Sequence, residues 1–294
     1  MQVLEDVVRP VWPSEAPRSA GPGGLLQIRG DVVSRAMPSG ALAQAAWRGP
    51  EVLLRAEAES EAQARDALRR LRFVLALDDD LAPFHRAFRA DPLLGHAIKA
   101  GPRLRVLRKP APFEALANAI CEQLIDTQAA GNIVWALTRA LGRRHPMGPW
   151  IAPAPDALDN PPALVRAGLA PARARTLARV ARAVARGEID PGAPPGSADR
   201  ARLQAIPGIG PWTLAHLDLF GRGVYDVALE QDVGMRNAYA RISGRRTGSV
   251  TEDEFAAVLD RYRPWQGLAA MYIVHVGWRG GGRWSESPHA IRRR

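Results

Sequence analysis

Asp232 stands at the end of a run that begins Leu203-Gln-Ala-Ile-Pro-Gly-Ile-Gly-Pro-Trp. A carboxylate in such a position can stabilise a developing cation, or orient and deprotonate a water molecule. Upstream, Gly208 and Gly210 flank Ile209 in a turn between two helical patterns. Glycine admits positive φ and lets another backbone come close. Ile206 and Ile209 can plug the space between the helices, and Pro211 suits the first turn of the second, where its missing N–H is not needed. The turn would present backbone amides at a helix N-terminus, a setting that favours an anion such as a phosphate. An ordinary helix–helix corner can also use Gly-x-Gly; the full run from Ile206 to Thr213 favours the anion-binding reading. Asp232 could equally cap a helix beginning near Val233, and the two roles are compatible. Asp226 and Glu230 read as turn or surface groups.

The elements that must position these groups follow from periodicity. Residues 1–23, rich in Pro, Gly and Ser, read as a flexible lead-in. Three β-leaning stretches, 25–37, 41–48 and 51–56, are separated by breaks such as Ser39-Gly40 and Gly49-Pro50 and predict a small antiparallel sheet. Ala64, Leu68, Leu71 and Val74 recur at helical spacing and predict a helix over that sheet. From about Pro83 the pattern is helical nearly to the end. Phe113, Leu116, Ala117, Ile120 and Leu124 form one apolar stripe, a second helix spans 132–141, and a third starts at Pro171 and stops at Gly187. Further helices are expected over 252–262 and 266–276, with loops over 143–162 and 191–198. The expected division is a lead-in at 1–23, a small α/β domain at 24–88, a helical domain at 89–278 containing the hairpin at 203–222, and a basic flexible tail at 279–294.

With 294 residues and 47% apolar content, the chain can bury one large core or two joined ones. Its formal charge of +10 favours polyanionic partners. The only lysines are Lys99 and Lys109, so the basic character is almost entirely arginine. The single cysteine, Cys121, excludes a disulfide framework, a four-thiolate cluster and a zinc site built on several thiolates. No leader pattern opens the chain and no apolar run reaches about 18 residues, so a cytoplasmic, nucleoid-associated monomer without membrane contact is expected.

The hairpin run resembles the helix-hairpin-helix of the base-excision DNA glycosylase superfamily, and within it the bacterial 3-methyladenine DNA glycosylase II branch. Three further segments resemble the family in the same order: Lys109-Pro-Ala-Pro-Phe-Glu-Ala-Leu to Glu122-Gln-Leu-Ile, Ala167-Gly-Leu with Arg173-Ala-Arg, and Arg263-Pro-Trp-Gln to Gly277-Trp278. The resemblance covers roughly residues 70 to 278. It implies a mainly α fold with a small N-terminal antiparallel-sheet domain, and an enzyme that extrudes a damaged, alkylated purine from duplex DNA and hydrolyses its N-glycosidic bond. Asp232 matches the catalytic aspartate, although the family often carries Pro where this chain has Glu230. Gly208, Ile209 and Gly210 would meet DNA, and Leu124 would be either the wedge that fills the vacated stack or a core leucine. Gln123 would touch the opposite strand.

The resemblance also implies how the chain departs from its relatives. Trp212 stands where strand-nicking members place a nucleophilic lysine, so water would be the nucleophile and an abasic site the product. Trp212 could stack on a cationic base, with His216, Tyr272 and His275 completing a base pocket and Asp218 a further candidate. His216 and Val233 replace pocket tyrosines and Val274 replaces a tryptophan, which makes the pocket less aromatic. No cofactor is required, though hairpin carbonyls could hold a monovalent cation. The alternatives are a non-catalytic damage-binding protein of the same fold, a glycosylase for deaminated or oxidised bases, and a strand-nicking glycosylase.

Overall fold

The computed structural model describes residues 1–19 and 25–279. In chain order the strands β1 (Gln2–Val8), β2 (Leu26–Arg29), β3 (Val32–Ala36), β4 (Leu42–Arg48) and β5 (Glu51–Ala58) are followed by the helices α1 (Glu61–Val74), α2 (Ala82–Phe88), α3 (Leu94–Ala100), α4 (Pro112–Glu122) and α5 (Thr127–Leu141). A short ribbon of β6 (Arg143–Arg144) and β7 (Trp150–Ile151) comes next, then α6 (Pro161–Arg166), α7 (Pro171–Ala185), α8 (Ala198–Gln204) and α9 (Pro211–His216). After α9 the chain continues as a π-helix over Leu217–Arg222, then α10 (Val233–Ile242), α11 (Glu252–Asp260) and α12 (Gln266–Arg279). The expected class, mainly helical with a small antiparallel sheet, is the one observed.

Two expectations are corrected. Residues 2–8 are not a lead-in: Gln2 to Val8 pair with Ala58 to Val52 and make β1 the edge strand of a sheet ordered β1-β5-β4-β3-β2. Only Val8 of that strand is buried, so it carries no two-residue hydrophobic alternation, and backbone pairing with β5 makes it a strand. The stretch 25–37 is two strands folded back at Gly30-Asp31. The tail at 280–294 and residues 20–24 lie outside the described residues.

The division into compact units also differs from 24–88 and 89–278. The first unit comprises 1–79 and 107–223, the second 80–106 and 224–294. Within the second, α2 and α3 belong with α10–α12 because Tyr262 donates to Asp91 Oδ1 (2.9 Å) and Phe84 stacks on Tyr272 (centroids 5.3 Å). These contacts join residues some 170 positions or more apart and have no local sequence signature.

The first unit has a sheet core, in which Val33, Leu54, Leu71 and Leu77 are sealed between strands and α1, and a helical core around Leu116, Ile120, Leu177 and Leu214. Arg35 on β3 links them, donating to Glu114 Oε2 on α4 (2.6 Å) and to the Trp150 carbonyl (3.3 Å). A buried charge is tolerated because its partner and hydrogen bonds are in place. α5 begins earlier than periodicity suggests, at Thr127, because the Asp126 carboxylate caps it by accepting from Ala129 N (2.9 Å).

Candidate nucleic-acid interface and catalytic carboxylate

The hairpin is built in the first unit. The Ser197 hydroxyl accepts from Arg200 N and starts α8; the chain then turns through Ile206 and Ile209, whose amides bond to the carbonyls of Leu203 and Ile206 (both 3.0 Å). The two glycines are needed for different reasons. Gly208 has φ +92°, and a Cβ there would lie 2.6 Å from the Thr176 hydroxyl, so both conformation and space require glycine. Gly210, the N-cap of α9, has φ −100° and nothing within 4 Å of where its Cβ would stand. Nothing in the described chain demands glycine at that position. Ile206 and Ile209 are buried as the plug, and Ile209 is only 4% exposed. Its side chain is packed between the helices, as expected of the plug, and its backbone is at the apex.

The hairpin is tied to the end of α4. Gln123 donates through Nε2 to the Gly208 carbonyl (2.7 Å) and to Thr213 Oγ1 (2.8 Å), so its amide nitrogen is engaged within the protein and not held out for an opposite strand. From α7, Thr176 donates to the Pro207 carbonyl (2.8 Å) and Arg173 donates to the carbonyls of Cys121 (2.8 Å) and Gln123 (2.9 Å). The next residue, Leu124, has φ +59° and a fully exposed side chain. It lies beyond the end of α4, off the apolar stripe, which rules out the core reading. A leucine held in the left-handed region costs free energy that its wholly exposed side chain does not recover by burial.

On α9, Trp212 is half-buried and its ring lies 3.9 Å, centroid to centroid, from that of His216; Phe220 continues the aromatic row at 5.4 Å. His216 is buried, with Nδ1 3.9 Å from Glu122 Oε2. Asp218 is no pocket group: it is buried between Arg200 (2.6 Å) and Arg222 (2.5 Å) and fastens the π-helix to α8. That π-helix had no signal in the sequence, and such irregular turns concentrate at functional sites.

Asp232 is in the second unit. It caps α10, its Oδ1 accepting from Met235 N (2.8 Å), and its own amide closes a turn on Leu229 (3.0 Å). The helix N-terminus favours negative charge there. A Cβ on Gly234 would come within 3.1 Å of Oδ1, so glycine keeps the carboxylate uncrowded. Asp226 faces Arg263 (3.8 Å) and is exposed, as expected of a turn group. Glu230 is not a plain surface group, since its Oε2 is buried with no hydrogen-bond partner among the described residues. Tyr272 is also misassigned by sequence. It is fully buried within the second unit, its hydroxyl 3.1 Å from His85 Nε2, and burial pushes its phenol pKa up and that of His85 down. Two aromatic neighbours, Phe84 and His85, make it core. His275 packs on Gly101, where a Cβ would meet its Nε2 at 2.8 Å. Cys121 is buried and its thiol pushed up to about 12 by desolvation, as a core thiol should be.

Among solved structures, a 3-methyladenine DNA glycosylase from Archaeoglobus fulgidus superposes with TM-score 0.76 at 15% identity, covering 94% of this chain and 98% of that one. At that identity the likeness is one of fold: the chain shares the fold of that DNA glycosylase. A structure titled MBOgg1 in complex with a low-affinity DNA ligand matches this helix-hairpin-helix chain with TM-score 0.75 and 20% identity, covering 96% and all of the other chain. Among curated proteins, a probable bifunctional transcriptional activator/DNA repair enzyme AlkA from Mycobacterium tuberculosis is 28% identical over 216 residues, 70% of this chain. The match spans only 42% of that relative's own length. A Bacillus subtilis DNA-3-methyladenine glycosylase is 26% identical over 217 residues, 68% of each chain. No protein-family profile matches. Among the described residues no helix is long and apolar enough to cross a membrane, and no group of three or more His, Cys, Asp or Glu side chains is placed to hold a metal ion.

Proposed function

We propose that this protein is a monofunctional DNA glycosylase that binds duplex DNA as a monomer, extrudes an alkylated purine and hydrolyses its N-glycosidic bond. The observation that carries the reading is Leu124: a fully exposed, left-handed leucine bonded through its neighbour Gln123 to the hairpin. An apolar side chain held out in this way suits the gap left in a base stack. Gly210, with nothing within 4 Å of where its Cβ would stand, leaves room for a phosphate at the first turn of α9, where a helix N-terminus presents backbone amides.

In the chemical step the bond between the base nitrogen and C1′ breaks, its electron pair leaves with the base, and positive charge develops on the sugar. The Asp232 carboxylate stabilises that charge and takes a proton from the water whose oxygen bonds to C1′. The products are the free base and an abasic site. Trp212 offers its ring to a cationic base. The chemistry needs no metal. The carbonyls of Pro207 and Gly208 accept from Thr176 and Gln123 and each keep a second lone pair that could face a monovalent cation, and no step runs through it.

His216 favours a second reading of the lesion class. An imidazole whose ring lies 3.9 Å from that of Trp212, with Glu122 behind it, can donate to an acceptor on a neutral base, as deaminated or oxidised purines present. The test is base release from methylated, hypoxanthine-containing and 8-oxoguanine-containing duplexes, with strand breaks scored before and after alkali. Release with breaks only after alkali supports the proposal, and the duplex that yields it names the lesion class. Breaks before alkali together with a borohydride-trapped adduct would replace it with the strand-nicking reading. Tight lesion binding without release would replace it with the non-catalytic one.

A further inference from the structure

Leu124 is held in a backbone conformation that costs free energy in an L-residue and persists only where the surroundings over-determine it. The groups that do so come from α7. Arg173 Nη1 lies 2.8 Å from the Cys121 carbonyl and 2.9 Å from the Gln123 carbonyl. Both carbonyls belong to the end of α4, where backbone acceptors run out of intrahelical donors. A guanidinium is suited to this position because its donors are fixed in a plane and always charged. Of the other α7 arginines near it, Arg175 and Arg179 are exposed, so Arg173 is the one turned to the chain's own backbone.

One turn further along α7, Thr176 donates to the Pro207 carbonyl at the hairpin apex (2.8 Å). Gln123 then crosses between the two, from the residue before Leu124 to Gly208 and Thr213. The leucine and the hairpin are thus fastened to one helix and to each other. An element that enters DNA must hold its place to a fraction of an ångström, and here the support comes from residues that touch no DNA in this reading.

We infer that Arg173, with Gln123, is a positioning residue that holds Leu124 out as the wedge and fixes its distance from the hairpin. The inference rests on the glycosylase reading for its role in base extrusion. Arg173 acts through Leu124, so its effect must vanish when Leu124 has no side chain to insert.

The test is a double-mutant cycle on the full chain with Arg173→Ala, Leu124→Ala and the double variant. Two signals are read: fluorescence of 2-aminopurine placed beside the lesion, which reports extrusion, and single-turnover base release. Loss of two charge-assisted bonds should lower both signals by about tenfold in Arg173→Ala, with thermal unfolding still cooperative. In the Leu124→Ala background the same substitution should cost less than about twofold, since little remains to couple. Equal losses in both backgrounds, or no loss from Arg173→Ala alone, would overturn the inference. Should Arg173→Ala not fold, Gln123→Ala, which severs the crossing but leaves α7 intact, runs through the same cycle: a loss confined to the Leu124 background supports the inference, and an equal loss in both backgrounds overturns it. A protein that releases no base from any duplex sinks the glycosylase reading alone, because the fluorescence arm still reports whether Arg173 governs insertion.

Discussion

The two halves of the proposed machinery are held by different kinds of bond. The hairpin and Leu124 are fixed by side chains that reach across the sequence: Gln123 to Gly208 and Thr213, Thr176 to Pro207, Arg173 to Cys121 and Gln123. The carboxylate of Asp232 is oriented by a bond to Met235, three residues on, at the start of its own helix. A wedge that must displace a stacked base does mechanical work and needs support from several elements. A carboxylate that must meet a transient cation needs a fixed rotamer and open space, which a helix N-cap beside Gly234 supplies locally.

If the division of labour holds, substitutions in the two regions fail differently. The largest effect is expected at Asp232→Asn, which should lower single-turnover base release by roughly 10²- to 10⁴-fold, the range of a general base. Its affinity for lesion duplex in a gel-shift titration should stay within a few-fold. Leu124→Ala should come next, losing the 2-aminopurine signal and, with it, most of the release rate. Its melting temperature should not fall, since a fully exposed side chain contributes no burial.

His216→Tyr sharpens the comparison inside the hairpin region: relative release of cationic over neutral bases should rise a few-fold, the scale of one cation–π contact, when both are competed in one reaction. The smallest effect is one of stability. Asp91 loses solvation by burial, which alone would raise its pKa, yet the amides of Leu94 and Leu93 and the Tyr262 hydroxyl hold it below the usual carboxylate value. A lowered folded pKa means that its stabilisation is present above about pH 4, the unfolded value, and fades as pH drops through the folded one. Thermal melts should therefore show Asp91→Asn less stable than wild type at neutral pH, with the gap closing on acidification below about pH 4.

The same contrast decides what could be read from the sequence. The Asp232 cap, the positive φ at Gly208 and Pro211 at the start of α9 are local features, and each appears where residue type and spacing put it; the space that Thr176 denies a side chain at Gly208 is not local and has no such signal. The sheet is legible in the sequence at the breaks Ser39-Gly40 and Gly49-Pro50, whereas the turn at Gly30 that parts β2 from β3 is not, nor is β1, whose strand is largely exposed. Nothing near Gln123 in the sequence announces Gly208 as its partner. The same holds for Tyr272 and Asp218, which His85 and Arg200 complete from elsewhere in the chain. A leucine on the line of an apolar stripe, such as Leu124, cannot be told from core by periodicity; only the φ of +59° past the end of α4 separates it.

The most direct test of this account places Asp232→Asn and Leu124→Ala side by side on one lesion duplex carrying a neighbouring 2-aminopurine, with fluorescence and base release followed in the same mixing experiment. Asp232→Asn should give the full fluorescence rise with no release, and Leu124→Ala should give little rise and correspondingly slow release. Release undiminished in Asp232→Asn would remove the carboxylate from the chemistry and contradict the account.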